Sequence, residues 1–276
     1  MKRPSASSRR TRPTHKTRRA GKAVRATPRP SAAVVAPAPA VATLMQELPG
    51  RVLHRDRDLI ILDKPAGLAV HPGPSGGPSL EAALDALRFE ARTAPALAHR
   101  LDRDTSGCLV LARRRSALRR LNALFAAGEI EKTYWAVVLG SPKAASGIVD
   151  LALRKLNRKD GWKMLADPSG QSAVTRWRLL GRGDGMSWLE CKPQTGRTHQ
   201  VRVHCAALGC PILGDPVYGA PEKEPHRTDR PLHLHARAVS IPYAEGAPPV
   251  AATAPVPAHM RAALAACGWR DDGGRS

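Results

Sequence analysis

The chain has 276 residues and a formal net charge of +21, from 44 Lys+Arg against 23 Asp+Glu. Apolar residues at 42% can bury a core, which excludes a wholly disordered chain, and the cation excess favours a polyanionic partner, because Lys and Arg that neutralise phosphates release condensed counterions. Five cysteines, an odd number with no C-x-x-C pair, argue against a disulfide framework and a zinc ribbon and fit a reducing, cytoplasmic setting.

In chain order, residues 1–49 hold 11 Lys/Arg and one acid, Glu47, which places +10 there and +11 in the rest. Arg, Lys, Ser, Thr and Pro dominate 1–30, and 31–49 continue as an Ala/Val/Pro spacer. Residues 1–49 are therefore expected to be a disordered basic arm that tethers nucleic acid. The same Arg-rich composition also fits an organelle transit peptide, although Pro4 and Pro13 would interrupt an amphipathic helix. The longest apolar stretch, 32–44, is broken by Pro37 and Pro39 and is too short to span a bilayer, so no membrane partner is expected.

Order is expected over 50–270, with 271–276 a disordered tail. A short apolar run at 59–62, closed by Asp63-Lys64-Pro65-Ala66-Gly67, reads as a buried strand entering a turn, and 108–112 reads as a second strand. A helix follows over 116–127, with Leu118, Leu121, Leu124 and Phe125 on one face and Gly128 as its stop. Strands are expected at 133–139, 173–180, 187–192 and 232–241, and helices near 198–208 and 258–267. Strands outnumber helices without regular alternation, so the fold class is α+β.

Several chemistries are disfavoured. No G-x-x-x-x-G-K-[ST] loop is present, so no nucleotide cofactor is expected. His199 and His204 are five apart and no H-E-x-x-H occurs. His233 and His235 share a strand face at spacing two, which keeps a metal-dependent nuclease open, but satisfied or exposed histidines are the commoner outcome, so no metal and no other cofactor are expected. Aromatic residues at 4% disfavour a platform that stacks several bases at once.

Two polar segments stand out. His99-Arg100-Leu101-Asp102-Arg103-Asp104-Thr105-Ser106-Gly107 places two carboxylates among cations at the entrance to a buried strand. A site and a loop held by local Arg–Asp pairs are both compatible with it. Residues 193–204 contain a helix start after Gly196 with Thr198 near the N-cap. Val201, Cys205 and Leu208 then form an apolar stripe, with His199 and Arg202 projecting from the opposite side. The Gly-Arg-Thr start would also make an anion site from free backbone N–H groups.

Taken together, these segments resemble the RluA-type pseudouridine synthases. The likeness rests on His99-Arg100-Leu101-Asp102 with Thr105-Ser106-Gly107, on Asp63 to Gly67 with His71-Pro72, on Lys132-Thr133-Tyr134-Trp135-Ala136, on Thr195 to His204, and on Gly209 to Asp215. The motifs run colinearly over about 51–245. The resemblance implies a catalytic domain with a central, mostly antiparallel mixed sheet flanked by helices and an RNA-binding cleft. It also implies that Asp102 is the catalytic aspartate, that Tyr134 stacks on the target base, and that Arg202, or else Arg197, pairs with the aspartate. Arg100 would fill the gap left by a flipped uridine, and His99, Lys132, Arg197 and His199 would contact substrate. The implied partner is ribosomal or transfer RNA, with a monomer as the default. The rival that charge alone supports is a non-catalytic RNA-binding protein. Many family members carry an S4-type domain in front of the catalytic domain, and residues 1–49 are too short and too polar for one.

Overall fold

The computed structural model describes residues 38–73, 77–158, 161–219 and 230–271. Its elements are α1 (Pro39–Glu47), β1 (Val52–Arg55), β2 (Leu59–Lys64), α2 (Leu80–Ala83), β3 (Ala96–Leu97), β4 (Ser106–Ala112), α3 (Arg115–Ala127), β5 (Glu131–Leu139), β6 (Ser146–Asp150), β7 (Leu153–Arg158), β8 (Gly161–Ala166), β9 (Val174–Gly183), β10 (Met186–Pro193), α4 (Gln200–Ala207), β11 (Leu234–Ile241), β12 (Val250–Thr253) and α5 (Ala258–Ala266). A ten-stranded sheet runs β1-β2-β4-β11-β5-β10-β9-β6, with β3 on β4 and β12 on β11, while β7 and β8 form a separate two-stranded ribbon. The named strands pair antiparallel except β4 with β11. No helix among the described residues is long and apolar enough to cross a membrane.

The sheet is covered on both faces. Ile60, Leu62, Leu109 and Leu111 point into a core with α1 and α2, whereas Leu59, Ile61, Cys108 and Val110 point into another with α3. Burial on both faces explains why β2 and β4 read as continuous apolar runs rather than alternating ones. Further along, Ala136, Val138, Leu189 and Cys191 pack on α4, and Val137 packs on α5. Tyr134 of β5 touches both the α1 core and the α4 core.

The expected arm is too long at its C-terminal end. Residues 1–37 lie outside the described residues, but Pro39–Glu47 is helical and leads through a 3-10 turn into β1. Pro39 occupies the first turn, where a missing N–H costs nothing. Val41, Leu44, Met45 and Leu48 follow the i, i+3, i+4, i+7 spacing of an apolar helix face, and Leu48 is fully buried. The ordered domain therefore begins at least twelve residues before the expected boundary of 50. Of the expected tail, residues 272–276 lie outside the described residues.

Three contacts fix the entrance to β4. Gly107 has φ +103° and lies so close to the Ala236 backbone of β11 that a Cβ would collide with its carbonyl oxygen. His235 of β11 sits 2.9 Å from the Ser106 hydroxyl through Nδ1, with Nε2 3.4 Å from the Ala254 carbonyl. His99 accepts the Val110 N–H on Nε2 at 3.0 Å and lies against Phe125. His233 has Nδ1 2.8 Å from the Pro231 carbonyl, so both candidate metal ligands are engaged in local hydrogen bonds, and His233 precedes β11 rather than sharing its face. Among the described residues no group of three or more metal-ligating side chains occurs.

Burial pushes both the His99 and the His235 rings down to about 4. Between that value and the ordinary 6.5 the unfolded chain binds protons that the native rings refuse. Unfolding free energy should therefore fall as pH drops from about 6.5 towards 4, by at most about 1.4 kcal/mol per pH unit for each ring. Urea titrations across that window should show a steep slope that flattens in His235→Gln; equal slopes would refute a neutral buried His235.

Candidate active site

A cleft of about 630 Å³ opens beside the loop before β4, and its walls include all eight residues singled out above: His99, Arg100, Asp102, Lys132, Tyr134, Arg197, His199 and Arg202. They come from that loop, from the start of β5, from the turn leading into α4 and, for Arg202, from α4 itself. The positions are set mainly by buried polar groups.

Asp102 begins a turn in which the Thr105 N–H donates to its backbone carbonyl at 3.2 Å. The turn is anchored from below by Lys64, which has no exposed surface and donates to the carbonyls of Pro65, Leu68 and Arg103 at 2.8, 2.9 and 2.9 Å. Burial pulls the Lys64 ammonium down to about 7 against the opposing pull of Asp104, Asp102 and Asp63. Asp104 pairs with its neighbour Arg103 at 3.0 Å, whereas Asp102 is the carboxylate that meets a guanidinium of α4.

That guanidinium belongs to Arg202, and here the structure departs from a surface helix with a basic face. Gln200 through Cys205 are all buried, because β9, β10 and the β7–β8 ribbon pack around the short helix. Arg202 donates from Nε and Nη2 to the two Asp215 oxygens at 2.8 Å each, and its Nη1 lies 3.4 Å from Asp102 Oδ2. Burial alone would lower the Arg202 pKa, but the Asp215 hydrogen bonds and charge hold it above its ordinary value. Arg197 is exposed and donates from Nε to the Ser172 carbonyl, so among the two candidate cations Arg202 is the one paired with Asp102.

The helix starts at Gln200, with His199 as N-cap, rather than near Thr198. Gln200 is saturated: Oε1 accepts from Thr195 Oγ1 at 2.6 Å and from the Arg197 N–H at 3.0 Å, while Nε2 donates to the Val174 carbonyl and Thr175 Oγ1. The Arg197 N–H expected to receive an anion is therefore taken by a side chain. Lys132 donates to the Thr195 carbonyl at 3.3 Å, and burial lowers its pKa. Burial, followed by the Asp102 charge, raises the pKa of Tyr134, whose hydroxyl remains protonated at neutral pH. Arg100 is exposed at the rim.

The profile of the family described as RNA pseudouridylate synthase matches residues 58–207, and an uncharacterized RNA pseudouridine synthase of Zymomonas mobilis is 45% identical over 214 residues, covering 77% of this chain and 96% of that protein. The chain belongs to the RNA pseudouridylate synthase family. The synthase is also 36% identical to the ribosomal large subunit pseudouridine synthase D of Xanthomonas campestris over 246 residues, 84% of this chain and 72% of the relative. It superimposes on the human RNA pseudouridylate synthase domain containing 4 with a TM-score of 0.70 at 28% identity, covering 83% of this chain and 97% of that one. The expected RluA-type membership, α+β fold and isomerase class are all borne out.

Sequence reasoning assigned no role to Lys64, Asp215, Gln200, Tyr218 or Trp162. Lys64, Gln200 and Asp215 lay inside matched motifs, and that placement was the available signal. Trp162, on the ribbon, stacks on His199 with centroids 5.0 Å apart while 41% exposed. Asp215→Ala leaves the Arg202 charge buried without its main partner and should cost the synthase about 3–5 kcal/mol in urea unfolding. Wild-type stability in that variant would show that the pair does not hold the cleft together.

Proposed function

We propose that this synthase isomerises a specific uridine in structured ribosomal or transfer RNA, with Asp102 as the catalytic carboxylate. The observation that carries the reading is the carboxylate's setting: Asp102 lines the cleft, 3.4 Å from a guanidinium whose other edge is locked by Asp215. The relative in Xanthomonas campestris is named for the large ribosomal subunit, which favours ribosomal RNA.

The reaction breaks the N1–C1′ bond, rotates the uracil and joins C5 to C1′; the proton lost from C5 is balanced by the one gained at N1. A glycoside hydrolase commonly needs two carboxylates, one of them to protonate the leaving group. Uracil leaves as a stabilised anion and stays bound, so one carboxylate suffices. Attack at C1′ and removal of the C2′ proton are both open to Asp102. Tyr134, buried on one side and facing the cleft on the other, would hold the freed base while it turns. The uridine must first leave the stack, at a cost of a few kcal/mol. Phosphate contacts and insertion of Arg100 would offset that cost.

Asp102→Asn should abolish tritium release from RNA labelled at uracil C5 while leaving RNA binding largely intact, and Asp104→Asn should remain active. Full activity in Asp102→Asn would sink the assignment. Comparing pseudouridine maps of ribosomal and transfer RNA from cells with and without the gene would name the target; unchanged maps in both would count against either RNA class.

The ribbon supplies a second contact. Trp162 is 41% exposed, stacks on the cleft residue His199 and carries the Lys155 ammonium 4.9 Å from its ring centroid, an exposed aromatic next to a cation of the kind that stacks an unpaired base. Trp162→Ala should weaken RNA binding by about 1–3 kcal/mol in filter-binding titrations. An unchanged Kd would remove Trp162 from the interface.

A further inference from the structure

Tyr218 is hydrogen-bonded to His199, whose far ring nitrogen faces Asp102 across 3.8 Å. The Met164 backbone N–H, on the β7–β8 ribbon, donates to the Tyr218 hydroxyl oxygen at 2.9 Å, and that hydroxyl lies 2.8 Å from His199 Nδ1. With the oxygen already accepting from Met164, the phenolic proton is available to Nδ1. At the opposite end of the ring, Nε2 is 3.8 Å from Asp102 Oδ2. A lone pair on Nε2 would face a carboxylate oxygen, whereas an N–H would face it favourably. Both ends of the ring select the same tautomer, with the proton on Nε2.

The backbone is also built for this placement. His199 has φ +54°, in the left-handed region that residues other than glycine seldom occupy and that persists where the surroundings over-determine it. Here the ring is held between Trp162, stacked at 25°, and Tyr218, edge-on at 82°. Tyr218 is in turn fixed by its own N–H, which donates to Asp215 Oδ1 at 3.0 Å. The carboxylate that locks Arg202 therefore also seats the group that orients His199.

We propose that His199 is a positioning residue that presents Nε2–H to Asp102, with Tyr218 selecting the tautomer. The proposal rests on the reading of Asp102 as the catalytic carboxylate. Arg202 Nη1 and His199 Nε2 both approach Oδ2, at 3.4 and 3.8 Å, so the two groups bear on the same carboxylate oxygen. The 3.8 Å gap is expected to close when RNA fills the cleft, since catalytic hydrogen bonds often tighten only in the substrate complex.

The test combines a spectrum with a rate. In the RNA-free protein with 15N-labelled histidine, long-range 1H–15N correlation should show the Nε2–H tautomer for the resonance that disappears in His199→Gln, and a mixture of tautomers in Tyr218→Phe. Tyr218→Phe should slow single-turnover pseudouridine formation several-fold with the RNA Kd unchanged. His199→Gln, which keeps an N–H of similar reach, should retain more of the rate than His199→Leu. An Nδ1–H tautomer in the wild type would overturn the proposal, as would a Tyr218→Phe protein whose tautomer shifts and whose rate does not. An intact Nε2–H signal with full activity in Asp102→Asn would instead overturn the reading of Asp102.

Discussion

The buried ion pair between Arg202 and Asp215 is the contact on which the cleft depends. Taking two charges out of water costs several kcal/mol per ion, and their attraction offsets this only where the geometry is good and the remaining hydrogen-bonding groups are satisfied. Asp215 meets both conditions: it takes two guanidinium N–H groups and the backbone N–H groups of Val217 and Tyr218. Because a guanidinium is planar, fixing one edge fixes where the other points. The free edge points at Asp102, so the direction of the cation is set independently of the loop that carries the aspartate. A lysine at 202 would supply charge without that direction.

Lys64 does for the main chain what Arg202 does for the side chain. Its ammonium binds one carbonyl in the loop of Asp102 and two in the turn that closes β2. Two segments separated by 39 residues thus share one buried donor group. Both cations are spent internally and neither is free to meet phosphate.

Strands β2, β4, β5, β9, β10 and β11 were legible in the sequence because each is an apolar or alternating run, and α3 because its apolar face and Gly128 stop agree, whereas β1, β3, β6 and β12, of two to five residues, are too short to show a period. What escaped reading did so for physical reasons. The apolar face of α1, Val41 to Leu48, is short and surrounded by Ala and Pro, so composition outweighed periodicity. The ribbon sequence from Leu153 to Ala166 is rich in Lys and Arg, which hid a hairpin that the Asp160-Gly161 dipeptide would have suggested. In the site, Asp102, Tyr134 and Arg202 were legible only through motif resemblance. The residues that orient them, Asp215 and Tyr218, approach from 13 and 19 residues away from their partners Arg202 and His199, a separation that carries no local period.

Those burial patterns also change what the net charge means. Counting +21 treats every Lys and Arg as available to a polyanion, yet the cations closest to Asp102 are the least available. Lys64 is fully buried, and Arg202 is balanced by Asp215 before it meets Asp102. The exposed set is different: Arg100 at the rim, Arg197 at the turn before α4 and Lys155 on the ribbon. Salt competes with the exposed set, since only cations that displace counterions from phosphates enter the salt dependence of binding. The buried set is screened far less. The arrangement around Asp102 therefore rests on buried cations while salt acts on exposed ones, and ionic strength can weaken contacts to a polyanion without rearranging the cleft.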